Sequence, residues 1–297
     1  MFEGFDTADI DVGEVRIHAR IGGTGPPVLL LHGYPQTHVM WHRVAPVLAR
    51  DHTVVVPDLR GYGDSGKPAS QADHSSYSKR ATAADMAALM TRLGHRSFAV
   101  AGHDRGARVT HRLCLDHPDR VTRAAVLDIV PTRHVFANVD KTVALAYDHW
   151  FFLAQAPDLP EVLIGGAPEY YLRRKIDQWS GPGAQFDADA MAHYVRCFSD
   201  PDTIRATCED YRAGATIDLD HDDADADAGQ RISCPLLVLW GAAGLIDAAY
   251  DVPEVWRGYA DDVRGTAIAS GHFLPEEAPV ETAAELRAFF SAALRPG

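Results

Sequence analysis

The residues best suited to chemistry in this chain are Gly102-His103-Asp104-Arg105-Gly106. The apolar run Phe98-Ala99-Val100-Ala101 precedes them, and a helical pattern begins at Ala107. A strand, a sharp turn and a helix in that order form a nucleophile elbow, G-x-nucleophile-x-G, here with aspartate where serine is usual. Serine attacking an ester leaves an acyl-enzyme. A carboxylate attacking an sp³ carbon leaves an alkyl ester that water can hydrolyse. The motif therefore points to hydrolysis of a carbon–halogen or epoxide bond. A plain β-turn whose aspartate caps the next helix would also explain the pentapeptide by itself. The rest of the chain argues otherwise. Asp128-Ile129-Val130 closes the next apolar run and Gly271-His272-Phe273 closes the last. Asp104, Asp128 and His272 thus follow the order nucleophile, acid, histidine, each at the C-terminal end of an expected strand.

Apolar runs predict strands at Asp9–Val12, Glu14–Ile21, Pro27–Leu31, Thr53–Pro57, Ser97–Ala101, Ala124–Ile129, Pro235–Trp240 and Gly265–Ala269. Helical patterns lie near Trp41–Ala49, Thr82–Leu93, Ala107–Asp116, Val252–Tyr259 and Val280–Leu294. Continuous apolar runs imply strands covered on both faces, hence a mostly parallel, doubly wound sheet of eight strands. Aromatic-rich helical stretches with no convincing strand fill Pro131 to Gln230. The expected fold is an α/β-hydrolase: a core of residues 1–130 and 231–297, with a helical cap, 131–230, inserted after the strand ending near Asp128.

Composition fits a cytoplasmic enzyme. The 297 residues, 46% of them hydrophobic, can bury a large core. A formal charge of −13 disfavours nucleic acid or an anionic membrane as partner. Met1-Phe2-Glu3-Gly4-Phe5-Asp6 has no basic and apolar leader pattern, and no apolar run approaches a membrane span. Cys114, Cys197, Cys208 and Cys234 are scattered and read as reduced thiols. Gly61-Tyr62-Gly63-Asp64-Ser65-Gly66 matches a dinucleotide fingerprint, but Lys67-Pro68 cannot open a helix well, so a surface turn is expected. The acidic run Asp218–Asp227 fails as a calcium loop, with Ala228 and Cys234 at key positions, and reads as a solvated connection. No metal or other cofactor is implied.

Beyond the elbow, the chain resembles the fluoroacetate dehalogenases of the α/β-hydrolase superfamily almost end to end. The resemblance rests on His32-Gly33-Tyr34-Pro35-Gln36, the stretch Gly102–Arg108, Asp148–Gln155, Cys208–Gly214 and Gly271–Glu277. It implies that His272, oriented by Asp128, activates water, and that the backbone N–H groups of Tyr34 and Arg105 receive the oxyanion. The W-G-x-x-D acid of many relatives is absent after Trp240, and Asp247 comes three residues late. Arg105 and Arg108 lie three apart at a helix start and share one face, so together they form an expected carboxylate clamp. The resemblance further implies a halide site of His149, Trp150 and Tyr211, with Trp179 nearby, and a homodimer acting on a small haloacid. Val135 departs from the family pattern, which has an aromatic there. Two other readings remain. An epoxide hydrolase shares the triad and needs two cap tyrosines, Tyr211 with Tyr147, Tyr170 or Tyr171, but gives the arginines no role. A non-catalytic receptor has no need of an intact triad.

Overall fold

In the computed structural model, which describes residues 1–292, eight strands form one sheet in the order β1-β2-β4-β3-β5-β6-β7-β8. They are β1 (Phe5–Asp11), β2 (Arg16–Gly22), β3 (Pro27–Leu31), β4 (Thr53–Pro57), β5 (Phe98–His103), β6 (Val121–Leu127), β7 (Leu236–Gly241) and β8 (Val263–Ile268). β2 runs antiparallel to β1 and β4, and every other pairing is parallel. Val28–Leu31, Val54–Val56, Val100, Ala101 and Ala124–Leu127 have no solvent exposure. Their unbroken apolar runs are what strands sandwiched between helices require.

The edges were harder to read. β1 begins at Phe5, four residues before the expected strand, because an edge strand carries Asp6, Thr7 and Asp9 to solvent and shows no apolar run. At the other edge β8 is largely exposed. The last helix, Pro279–Ser291, matches its expected start; its expected end at Leu294 lies outside the described residues.

Eight helices, from Thr132–Ala137 to Ile217–Asp227, separate β6 from β7, with no strand among these described residues. The acidic run is itself the last of them, not a connection. Asp222 and Asp225, three apart on one helix face, grip Arg112 of the helix Arg105–Asp116 at 2.7 and 2.5 Å. The glycine-rich stretch 61–66 is a series of turns, with the Asp64 amide donating to Asp58 Oδ2 at 2.8 Å. Folding also gathers two groups with metal-ligand atoms within 4.8 Å of one another, His18/His38/Asp58 and Asp64/His193/Cys197. Their members come from separate elements, so sequence spacing did not reveal them. Asp58 is already engaged by His38, and Asp64 by Arg196. Among the described residues no helix is long and apolar enough to cross a membrane.

The strand order reverses between β4-β3 and β5, which opens a crevice at the C-terminal ends of β3 and β5. Tyr34 follows β3 and Asp104 follows β5, so both stand at that crevice.

Candidate active site

Asp104 adopts φ 46° and ψ −113° at the start of the helix Arg105–Asp116, and Asp128 has φ 54°. Both lie in the left-handed region that non-glycine residues avoid, at a cost of roughly 1–3 kcal/mol each. The flanking glycines serve close approach rather than unusual φ. A Cβ on Gly102 would lie 2.2 Å from the Gly106 carbonyl, and one on Gly106 would lie 2.4 Å from the His32 carbonyl. Nor does Asp104 cap the helix it precedes. Its Oδ1 instead accepts from the Tyr34 amide at 2.9 Å, which leaves Oδ2 for chemistry. The Arg105 amide makes no such bond to that carboxylate.

His272 Nδ1 lies 2.6 Å from Asp128 Oδ2, and Asp128 Oδ1 accepts from the Gly241 amide at 2.9 Å. Burial alone would lower the His272 pKa. The hydrogen bond and charge of Asp128, with the charge of Asp104, nevertheless hold it above the ordinary histidine value. Asp247 is elsewhere, accepting from Trp240 Nε1 at 2.7 Å. Asp128, not Asp247, faces the histidine.

The arginine pair is less symmetrical than its spacing suggests. The Nε–Nη2 edge of Arg105 is taken by Asp210, with Nε to Oδ2 at 2.8 Å and Nη2 to Oδ1 at 2.9 Å. Asp210 also accepts from Tyr62 Oη at 2.8 Å and from Lys79 Nζ. Burial would raise the Asp210 pKa, but Arg105 and Lys79 hold its carboxyl well below the usual carboxylate range. Arg108 is different. Its Nη1 donates to the Val130 carbonyl and Thr132 Oγ1, both at 3.0 Å. Its Nε and Nη2 are buried without a partner, and no ion pair neutralises it among the described residues. Burial and the neighbouring Arg105 lower its pKa, while Asp104 pulls the other way. A buried cation with one vacant donor edge calls for an explanation.

The aromatic residues stack on these cations: Tyr211 covers the Arg105 guanidinium at 4.2 Å and Trp150 covers that of Arg108 at 4.5 Å. His149 ties the group together, its ring 5.5 Å from Tyr211 and 4.4 Å from Trp179. Tyr211 Oη, His149 Nδ1 and Trp179 Nε1 are buried without hydrogen-bond partners. Val135 is buried in the helix Thr132–Ala137.

A cavity of about 360 Å³ is lined by Asp104, Asp128, His272, His149, Tyr147 and Trp179, among others. Arg105, Arg108, Trp150 and Tyr211 are not among those lining residues, but Trp150 and Tyr211 pack against Tyr147 and His149, which are.

Three participants carried no signal of their own. His103 lies inside the elbow, and its Nε2 meets the His272 carbonyl at 2.7 Å. Burial and the nearby His272 push His103 down to about 3, so it stays neutral and Nε2 carries the donated proton. Asp210 precedes Tyr211 in the chain and nothing marked it as the counter-ion of Arg105. Glu277 accepts from the backbone on both sides of His272.

Residues 26–279 match the α/β hydrolase fold family. A fluoroacetate dehalogenase from Burkholderia sp is 46% identical over 98% of this chain and 95% of its own length. A soluble epoxide hydrolase from Corynebacterium sp. (strain C12) is 36% identical over 89% of this chain and 90% of that protein. A solved structure from Nostoc sp PCC 7120, of the same fold, superposes with TM-score 0.97 at 54% identity, covering 99% of this chain and 100% of that one. With its mostly parallel sheet, its aspartate elbow and these relatives, the chain belongs to the α/β-hydrolase fold family.

Proposed function

We propose that the protein is a haloacetate dehalogenase, hydrolysing fluoroacetate or chloroacetate to glycolate and halide without a cofactor. The observation that carries this reading is the vacant Nε–Nη2 edge of Arg108, buried and under the influence of the Asp104 charge. A carboxylate is the group that matches such a fork. The expected two-arginine clamp becomes a division of labour. Arg108 grips the substrate, and Arg105, already bonded to Asp210, shapes the pocket behind Asp104.

In the first step Asp104 Oδ2 attacks the carbon bearing the halogen. A C–O bond forms as the C–X bond breaks, and the bonding pair leaves with the halide. His149, Trp150 and Tyr211 donate to the developing anion, replacing the water it would otherwise hold. In the second step His272 takes a proton from water as the water oxygen attacks the ester carbonyl of Asp104. The Tyr34 and Arg105 amides receive the oxyanion. Collapse expels the glycolate oxygen, which is protonated from His272. Each turnover consumes one water and releases one proton.

An epoxide hydrolase is the second reading, because Tyr147 lines the cavity and Tyr211 Oη has no partner. It leaves the Arg108 edge unexplained. Halide release from fluoroacetate, chloroacetate and a neutral haloalkane, run beside epoxide hydrolysis, separates the two. Turnover of the neutral substrates alone would overturn the haloacid reading.

Trp150→Phe should hurt fluoroacetate more than bromoacetate. It keeps most of the packing and deletes one donor, and fluoride is both the poorest leaving group and the most tightly hydrated. The excess loss in kcat/KM should correspond to about 1–3 kcal/mol, the cost of leaving a charge without one donor. Equal losses would make Trp150 a packing residue.

The resemblance also supports a cytoplasmic homodimer. Leu159, Val162 and Leu163 share a face of the helix Leu159–Gly165 and are each more than half exposed, a surface a second copy would cover. Sedimentation at micromolar concentration should give a dimer, and a monomer there would sink that assignment.

A further inference from the structure

Every backbone group around His272 is already committed. Its N–H donates to the Trp179 carbonyl at 2.9 Å, and its C=O accepts from His103 Nε2 at 2.7 Å. On its two sides a single carboxylate collects the amides: Glu277 Oε2 accepts from Gly271 N–H at 2.8 Å, and Oε1 from Phe273 N–H at 2.9 Å. The same Oε2 accepts from Gly181 N–H at 2.8 Å. Gly181 and Trp179 belong to the segment between β6 and β7, and Trp179 walls the cavity that His272 enters. The contact is too close for side chains: a Cβ on Gly271 would lie 2.1 Å from the Gly181 amide nitrogen. The histidine loop and the Trp179–Gly181 segment are therefore fastened to one charged group.

We propose that Glu277 is a positioning residue for the hydrolytic half of the reaction: by holding three amides of the His272 loop and the Trp179–Gly181 segment, it fixes the base against the ester on Asp104. This rests on the Asp104–His272–Asp128 mechanism above, but not on the haloacid, since an epoxide would pass through the same kind of ester. Glu277 touches neither substrate nor reacting atoms. A carboxylate accepting three N–H bonds is a strong, directional anchor, and sub-ångström placement of a base is worth orders of magnitude in rate. Attack by Asp104 needs no base, so the first step should be indifferent to Glu277.

Its charge adds a second signature. The groups acting on the His272 imidazole are Asp128 and Asp104, which face it from β6 and β5, Glu277 from the following helix, and the neighbouring rings of His103 and His149. Asp128, Asp104 and Glu277 all favour the protonated ring. Glu276, beside Glu277, is pushed up to about 8 by burial despite its bonds to Tyr194 and Gln36, and the charge of Arg43 also acts on it.

Glu277→Gln keeps the shape and removes the charge and at least one acceptor. With the substrate the wild type accepts, first-turnover formation of the Asp104 ester should stay within about twofold. Steady-state turnover should fall roughly tenfold or more, with the Asp104 ester accumulating on intact-mass analysis. The acidic limb of the steady-state pH profile should move to lower pH, because a base relieved of a neighbouring negative charge holds its proton less tightly. Glu277→Asp keeps the charge at shorter reach and should restore the limb while leaving the hydrolytic step slow. Equal losses in both steps, or unchanged turnover, would overturn the proposal. NMR titration of the His272 ring decides the matter without any substrate. A midpoint that fails to drop in folded Glu277→Gln overturns it even if neither haloacids nor epoxides are turned over, an outcome that would separately end the reading of function.

Discussion

His272→Asn enzyme mixed with chloroacetate should release one chloride per active site and then stop, carrying a carboxymethyl ester on Asp104. Asp104→Asn should release none. Alkylation needs only a carboxylate, and Oδ2 of Asp104 is free of the Tyr34 amide that holds Oδ1. Hydrolysis needs the base, and losing a general base costs about 10²–10⁴ in rate. Intact-mass and peptide analysis would locate the adduct. An adduct on another residue, or continued turnover by the asparagine variant, would end the two-step mechanism. The pH dependence follows with a definite sign. His272 works as a base only when neutral, and Asp128 and Asp104 hold its pKa above the ordinary histidine value. Steady-state turnover should therefore rise with pH through that raised midpoint and be lost below it. The alkylation burst should not follow the same limb. A steady-state limb at or below the ordinary histidine range would mean that the Asp128 contact does not carry over to the working enzyme.

The central strands, the Asp104 turn and the pairing of Asp128 with His272 were legible because each had a local cause. Val28–Leu31, Val54–Val56 and Val100–Ala101 must be apolar throughout to lie between two helical layers. The acid and the histidine follow strands whose ends can be read from where the apolar run stops. Even the strain at Asp104 was readable, although the left-handed φ falls on the aspartate itself and not on its glycines. What stayed hidden was pairing across the fold. Asp210 is 105 residues from Arg105 in the chain, and its bond to that guanidinium depends on how the inserted helices seat on the elbow. Two arginines at one spacing are equivalent in sequence, yet Thr132 and Val130 hold Nη1 of one while Asp210 takes the Nε–Nη2 edge of the other. Glu277 was part of a recognisable motif, but its role lies in amides, which carry no side-chain signature. The acidic helix Ile217–Asp227 misled for a related reason. Six aspartates in ten residues look solvated until Arg112 and Lys79 are found against them.

Arg108→Ala should lose haloacid turnover without losing stability, and that combination distinguishes a receptor from a strut. Its Nε and Nη2 have no partner, and the disappearance of a buried unpaired cation offsets the loss of the Nη1 donor to the Val130 carbonyl and Thr132 Oγ1. The melting temperature should therefore stay close to that of the wild type. On chloroacetate, kcat/KM should fall by about 2–5 kcal/mol of transition-state stabilisation, a factor of tens to thousands, as expected for a lost bidentate contact to a carboxylate. Arg108→Lys should be nearly as poor, since an ammonium cannot reproduce the fork. Arg105→Ala should behave in the opposite way on stability. It leaves Asp210 with Lys79 and Tyr62 alone, in a site where breaking a buried pair costs about 3–5 kcal/mol. Thermal melts alongside kinetics on chloroacetate and on a neutral epoxide would test both. Near-normal chloroacetate activity in Arg108→Ala, with activity lost only in Arg105→Ala, would move the receptor to Arg105. Normal activity in both would remove the carboxylate from the recognition scheme and leave the epoxide reading as the one the triad supports.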